Sequence, residues 1–286
     1  MKVSIFTSYT DPEKRMDPWE ESLSCYRDFG DEVIVTGENW EYEFSFEKIG
    51  KIFQEGFDKC SGEWAIKMDI DTIFHENDYD KLRFYLKKYE DYPAICLVKN
   101  QIFTPDRYHT KARMCFILNK KKFPDIKLNG GGDLCDPTLK NMVLSERNVP
   151  SVDMSYWNYD SVFKTKEVIS KDRARFARAW YRRFGDYGDR GAGEEAVAFD
   201  AWFSMIESRY KKHIFKLKID DHPIYIKNKL QKIENDKFGY DAFGLKSEIK
   251  RSSKDYYSAI NERYISEFKL RLKNAKRHNT ANTYIQ

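Results

Sequence analysis

The chain has 286 residues, 41% hydrophobic and 16% aromatic, which is enough for one large α/β domain or for a domain with an appendage. Its 50 Lys and Arg side chains nearly balance 46 Asp and Glu, so the net charge of +4 gives no global argument for nucleic-acid binding. No run approaches the ~20 apolar residues of a membrane-spanning helix, the N-terminus lacks a signal-peptide pattern, and five cysteines without a CxxC pair argue against a disulfide framework or a zinc site.

Residues 2–8 (KVSIFTS) read as a buried strand. A loop with Pro12 and Pro18 follows, and then Trp19, Leu23 and Tyr26 recur at helical spacing. Residues 31–36 (DEVIVT) read as a second strand, stopped at Gly37. Ile49, Ile52, Phe53, Phe57 and Cys60 predict a helix over 46–60, with Gly62 just beyond it as a terminator. Residues 64–70 (WAIKMDI) predict a third strand, and Leu82, Tyr85, Leu86 and Tyr89 another helix. Residues 94–98 (AICLV) and 114–119 (MCFILN) predict two more strands. This alternation predicts an α/β fold with a mainly parallel sheet and helices on both faces. After residue 160 the pattern turns helical. An Arg-rich helix is expected over 173–183 and a second over 194–210, with Ala198, Ala201, Trp202 and Met205 on one stripe. A short strand over 214–219 and a polar helical segment over 247–276 follow.

The chemistry concentrates at Asp69-Ile70-Asp71. Two acids sit two residues apart at the end of an apolar strand, and strand alternation puts both on one face. Ligands of open α/β sheets bind at the carboxyl ends of strands. Two carboxylates there repel unless a cation lies between them, and Mg²⁺ or Mn²⁺ prefers oxygen ligands and bridges carboxylate to phosphate. The pattern therefore points to a cradle for a metal and a diphosphate.

Gly56, Cys60, Gly62-Glu63-Trp64 and Asp69-Ile70-Asp71 follow one another in an order that resembles the GT-A glycosyltransferases, most closely family 2. The opening strand with Thr7-Ser8-Tyr9-Thr10 and the second strand also match that family's first βαβ unit, and the likeness spans about residues 1–160. The chain departs from the pattern at Phe53-Gln54, where the family often has Arg-Asn, and at Gly37-Glu38-Asn39, where it usually has an acidic pair. The resemblance implies a GT-A, Rossmann-like core over 1–160 that binds a nucleotide sugar, a UDP-sugar favoured. A mainly helical C-terminal region, 161–286, would contribute to the acceptor side and the metal site. It implies a metal-dependent, inverting transferase, with Asp71 on Mn²⁺ or Mg²⁺ and Asp69 on the ribose or a metal-bound water. Thr7, Ser8 and Tyr9 would line the nucleotide pocket, with Glu38 near the base or ribose.

An inverting transfer needs a general base. The family places it after a Gly-rich turn, which here is Gly130-Gly131-Gly132 followed by Asp133, with Asp136 as the second candidate. His222 is the candidate for a further metal ligand. Arg175, Arg178 and Arg182 share one helix face, with Arg173 and Arg183 beside them, so Arg178 is a candidate phosphate ligand. That face and Lys120-Lys121-Lys122 raise two kinds of acceptor, a saccharide or a hydroxylated base in viral DNA. The competing readings are a carbohydrate- or DNA-binding protein without catalysis and a nucleotidyltransferase. The expected compartment is the cytoplasm, that of the host if the chain is viral.

Overall fold

The structure is a computed structural model that describes residues 1–37, 40, 43, 45–128, 135–210 and 214–234. Strand β1 (Val3–Ser8) is buried along its whole length because it pairs on both edges, parallel to β2 (Glu32–Thr36) and parallel to β3 (Trp64–Asp69). Between these strands run α1 (Trp19–Phe29) and α2 (Phe46–Lys59). Helix α2 starts where the Ser45 hydroxyl accepts the Lys48 amide at 3.1 Å. It lies so close to β1 that a Cβ on Gly56 would come within 2.9 Å of the Phe6 ring, so glycine is required there.

The chain continues through β4 (Thr72–Phe74), α3 (Tyr79–Lys88), β5 (Ala94–Thr104) and β6 (Arg107–Leu118). After β7 (Lys127–Leu128), β8 (Pro137–Leu139) and β9 (Met142–Val143), which form a small separate sheet, comes β10 (Ser151–Asn158). It ends in α4 (Lys166–Phe184), α5 (Glu195–Tyr210), β11 (Ile214–Lys216) and α6 (Ile224–Leu230). Helix α4 begins at the Thr165 cap and stops at Gly185, whose φ of +83° suits glycine. The polar segment expected over 247–276 lies outside the described residues.

The main sheet has the order β2-β1-β3-β6-β5-β10-β4, with β11 added to β6. Strands β1, β2, β3, β5, β10 and β11 run one way, and β6 and β4 run the other. This is the mixed, mainly parallel α/β sheet expected from the sequence. Helices cover both faces. Leu23, Tyr26 and Phe29 of α1, Leu82 and Leu86 of α3, and Ile226 and Leu230 of α6 fill one core. Phe46, Ile49, Phe53 and Phe57 of α2, with Ala179 of α4, fill the other. A third cluster joins Phe103 of β5 to Ile169 of α4 and to Phe199, Trp202 and Ile206 of α5. The residues after 160 thus pack into the same cores as those before it.

Two features differ from the sequence expectation. The strands expected over 94–98 and 114–119 are the outer parts of one long antiparallel hairpin that turns at Pro105 and Asp106. Polar Lys99, Asn100, Gln101 and His109 interrupt the apolar pattern and hide its length. Strands β4 and β10 were also not expected, since β4 is three residues long and β10 mixes buried and open positions. All five cysteines are buried free thiols. Among the described residues no helix is long and apolar enough to cross a membrane.

Candidate functional site

A cleft of about 450 Å³ opens at the carboxyl ends of β1 and β3. One wall is Ser8, Tyr9 and Thr10, which follow on from β1, together with Trp40 and with Ile49 and Phe53 of α2. Trp40 is fixed there, because its indole N–H donates to the Ser8 hydroxyl at 3.0 Å and its carbonyl accepts the Thr10 hydroxyl at 3.1 Å. The floor is Asp69, Ile70 and Asp71, with Asn158 at the end of β10. Arg173, Arg175, Phe176 and Trp180 of α4 and Ala198, Trp202, Met205 and Ile206 of α5 form the opposite wall. Lys99, Gln101 and Phe103, which share one face of β5, and His109 of β6 extend the floor sideways.

The two acids reach the cleft by a turn, which corrects the expectation of a straight strand. Strand β3 ends at Asp69, Ile70 and Asp71 form the turn, and β4 starts at Thr72. The buried Tyr26 hydroxyl sits 2.6 Å from the Asp69 carbonyl and 2.8 Å from the Thr72 carbonyl. The Thr72 hydroxyl donates to the Asp69 carbonyl at 2.6 Å, and the Tyr159 amide donates to the Asp71 carbonyl at 2.8 Å. Tyr26→Phe is therefore expected to destabilise the fold by about 1–3 kcal/mol, the range for a buried acceptor that loses its partner. Urea denaturation checks this, and an unchanged midpoint would show that the turn holds without the hydroxyl.

Each carboxylate already has one partner. Asp69 Oδ1 accepts from Lys67 Nζ at 2.8 Å. The Lys67 side chain is 1% exposed, and its ammonium lies 4.2 Å and 4.5 Å from the ring centres of Phe53 and Phe116. Asp71 Oδ1 accepts from Asn158 Nδ2 at 2.8 Å, while the buried Asn158 Oδ1 has no hydrogen-bond partner among the described residues. Burial, and then the carboxylates of Asp160, Asp69 and Asp17, push the Asp71 carboxyl up to about 8, with Lys164 opposing them. A half-buried acid bonded only to an amide nitrogen keeps an oxygen for a further donor or a cation.

Behind the floor lies a dense ionic network. The Lys164 ammonium, 2% exposed, is 3.0 Å from Asp17, 3.0 Å from Asp160 and 2.8 Å from Asp172. Arg15 reaches Asp17 at 2.9 Å and Asp172 at 3.2 Å. Arg173 pairs with Asp160 and Arg175 with Asp172. Burial works against the Asp160 charge, yet Arg173 and Lys164 hold its carboxyl well below the usual range. Among the described residues no group of three His, Cys, Asp or Glu side chains is arranged to hold a metal ion.

Of the residues selected from the sequence, the fold brings Ser8, Tyr9, Asp69 and Asp71 into the cleft. Thr7 lies one residue back, fully buried and outside the lining. Glu38 and Asp133 lie outside the described residues, and Asp136 is exposed and not among the residues that line the cleft. Arg178 is likewise away from it, bound to Glu43 and to the Gly193 carbonyl. Arg182 also reaches Glu43, and Arg183 reaches Glu47. Each arginine of the basic helix face expected from the sequence thus has an acidic partner, although Arg178 and Arg182 share Glu43. The lysine run is dispersed too. Lys120 donates to the Phe57, Asp58 and Cys60 carbonyls at the end of α2, Lys121 pairs with Glu63 and Lys122 with Asp91.

His222 has a structural place instead of the expected metal-facing one. It is fully buried, with Nδ1 2.9 Å from the Tyr159 hydroxyl and Nε2 2.7 Å from the Pro105 carbonyl, so both ring nitrogens are engaged. The ring fastens the start of α6 to the β5–β6 turn and to the segment after β10. Burial lowers its pKa to about 4. Protonation is penalised in the fold, so stability is complete above the ordinary imidazole value and is lost as pH falls from about 6.5 through about 4. The loss is expected to reach about 3 kcal/mol at pH 4. His222→Gln should flatten that acid limb in urea titrations, and an unchanged limb would assign it elsewhere.

Asn158, Lys99, Gln101, His109 and Trp40 were not legible as site residues, because they come from segments far apart in the chain. The one local signal is the polar Lys99-Asn100-Gln101 inside an otherwise apolar strand.

The fold and the cleft define an α/β protein with an acid-floored, aromatic-walled site at the strand ends of its sheet. No protein-family model matches the chain, and no curated protein matches it in sequence. Among solved structures it is similar to residues 1–349 of Staphylococcus aureus TarS in complex with UDP-GlcNAc, at 11% identity and a TM-score of 0.34, covering 74% of this chain and 75% of that one. The same TarS segment in complex with UDP matches at 11% identity and a TM-score of 0.32, covering 73% and 72%.

Proposed function

We propose that the chain is a glycosyltransferase that moves a sugar from a nucleotide-sugar donor, a UDP-sugar favoured, to an acceptor hydroxyl with inversion. The observation that carries the reading is geometric: the Asp69 and Asp71 carboxyls lie together on the floor of a cleft at the strand ends, with Asp160 and Asp17 in the same lining.

The donor set fits Mn²⁺ or Mg²⁺. Such an ion is commonly held by one or two carboxylates plus substrate phosphates, not by an all-protein cage. Asp71 and the open oxygen of Asp69 supply those carboxylates, and the unpartnered Asn158 Oδ1 marks a polar atom beside them. When bound, the ion neutralises charge on the departing diphosphate. The chain's own residues do the rest. Ser8, Tyr9, Thr10 and Trp40 offer an aromatic and hydroxyl wall for a nucleoside, and Arg173 and Arg175 line the cleft opposite the acids.

A thermal-shift panel of UDP, UDP-sugars, GDP-sugars and CMP, each with and without Mn²⁺, tests the reading. A UDP-sugar should raise Tm by several degrees only with the ion, and mass spectrometry should show slow release of free sugar. Stabilisation by none of these compounds would remove the proposal.

A further inference from the structure

The transfer needs a group that accepts the acceptor's proton, and the described acids around the cleft are poorly placed for it. Asp160 takes Lys164 and Arg173, Asp172 takes Lys164, Arg15 and Arg175, Asp17 takes Lys164 and Arg15, and Asp189 pairs with Arg190. A carboxylate held by cations is a weak proton acceptor, and Asp69 and Asp71 are the carboxylates that the proposed function gives to the metal ion. Asp136 is exposed and outside the lining.

The sheet offers something else. Thr72, Asn158, Gln101 and His109 fall on one rung across four strands: Asn158 is opposite Thr72, Gln101 is opposite Asn158, and His109 is opposite Gln101. Neighbours on a rung point to the same face, and Asn158, Gln101 and His109 all line the cleft. The row starts at the residue bonded to Asp71 and runs away from it. Two strand spacings put His109 about 10 Å from Asn158. Across from this polar floor stand Ala198, Trp202, Met205 and Ile206 of α5. A polar ledge with an apolar wall beside it suits a sugar, which has hydroxyl edges and an apolar face; the Trp202 ring in that wall is 6% exposed and has the Arg173 guanidinium 5.3 Å from its centre.

On the reading of the cleft as a glycosyltransferase site, we infer that the Asn158–Gln101–His109 row is the floor of the acceptor subsite and that His109 is the base that takes the acceptor hydroxyl's proton. The acceptor oxygen forms its bond to the anomeric carbon. The bond from that carbon to the diphosphate oxygen breaks, and its electron pair leaves with the diphosphate. The proton goes to an imidazole nitrogen of His109. Imidazole is the side chain whose charge changes near neutral pH, which suits this role. Charged groups that line the same cleft include Lys99 on β5, Asp69 and Asp71 on the floor, Arg173 and Arg175 on α4 and Asp160 after β10, and the described α5 lining residues are apolar.

The test uses the full chain, Mn²⁺ and whichever UDP-sugar stabilises it, with a panel of neutral oligosaccharides as acceptors. The rate is measured against pH for the wild type, His109→Asn, His109→Gln and Asp133→Asn, with UDP affinity measured by calorimetry. His109→Asn should bind UDP within about twofold of wild type and lose about 10²–10⁴-fold in kcat. It should also lose the acid limb of the pH profile, and added imidazole should restore part of the rate. The wild-type profile must itself rise through the neutral range. A His109→Asn enzyme with unchanged kcat and pH profile overturns the inference, as does loss of the acid limb in Asp133→Asn alone. Both outcomes leave the transferase reading standing. A wild type that binds no UDP-sugar removes both readings.

Discussion

Asp71→Asn is expected to abolish sugar transfer, with kcat/KM falling by about 10³-fold or more, while the fold survives. The substitution keeps the shape and the contact with Asn158 but removes the charge that would hold the cation. Mn²⁺-dependent stabilisation by UDP should disappear with it. Stability should move the other way. The folded-state pKa of Asp71 is raised from 3.8 to about 8, so the ionised form is penalised, and stability present at low pH is lost as pH rises through 8. In EDTA, Asp71→Asn should therefore be more stable than wild type by on the order of 2 kcal/mol at pH 8, with a smaller gap at pH 5. Guanidinium denaturation at the two pH values and a steady-state assay read both arms. Full activity in the variant would remove the cation argument.

Lys164→Met is the second large effect, and it falls on stability. The Lys164 ammonium is almost completely buried and contacts three carboxylates from three segments: Asp17 before α1, Asp160 after β10 and Asp172 in α4. Asp17, Asp160 and Asp172 all line the cleft. Methionine preserves the length and the packing but leaves three acids behind, two of which also hold Arg15. Removing one partner of a buried pair typically costs about 3–5 kcal/mol, and because Arg15, Arg173 and Arg175 still reach these acids the loss is expected at the lower end. The pH dependence identifies the cause. Asp160 and Asp172 are depressed in the wild type despite burial, so their contribution is present above the ordinary carboxylate range and lost on acidification. The difference between wild type and variant should hold from pH 7 to pH 4 and shrink only below about pH 4, as the carboxyls protonate. A constant difference would mean that the variant acts through packing alone.

The alternation of apolar strands with amphipathic helices was enough to foresee β1, α1, β2, α2, β3 and α3 in order, since each buries its face through local periodicity. The Asp69-Ile70-Asp71 pattern was legible too, because acids at the end of a buried strand stand out within a few residues. Local pattern did not reveal the length of the β5–β6 hairpin, whose polar residues look like a loop until a cleft lies above them. It also singled out His222 and Arg178, which are not in the cleft lining, and passed over Asn158 and His109, which are. A linear reading sees only residue type. Whether a nitrogen faces a cavity or the Pro105 carbonyl, and whether a guanidinium is open or spent on Glu43, depends on partners more than a hundred residues away. The sequence by itself determined the class of sheet and the acid pair at its edge, because both arise from contacts close along the chain. Only the tertiary structure decided which side chains share the cleft and which charges are already matched, because burial and pairing are properties of neighbours in space.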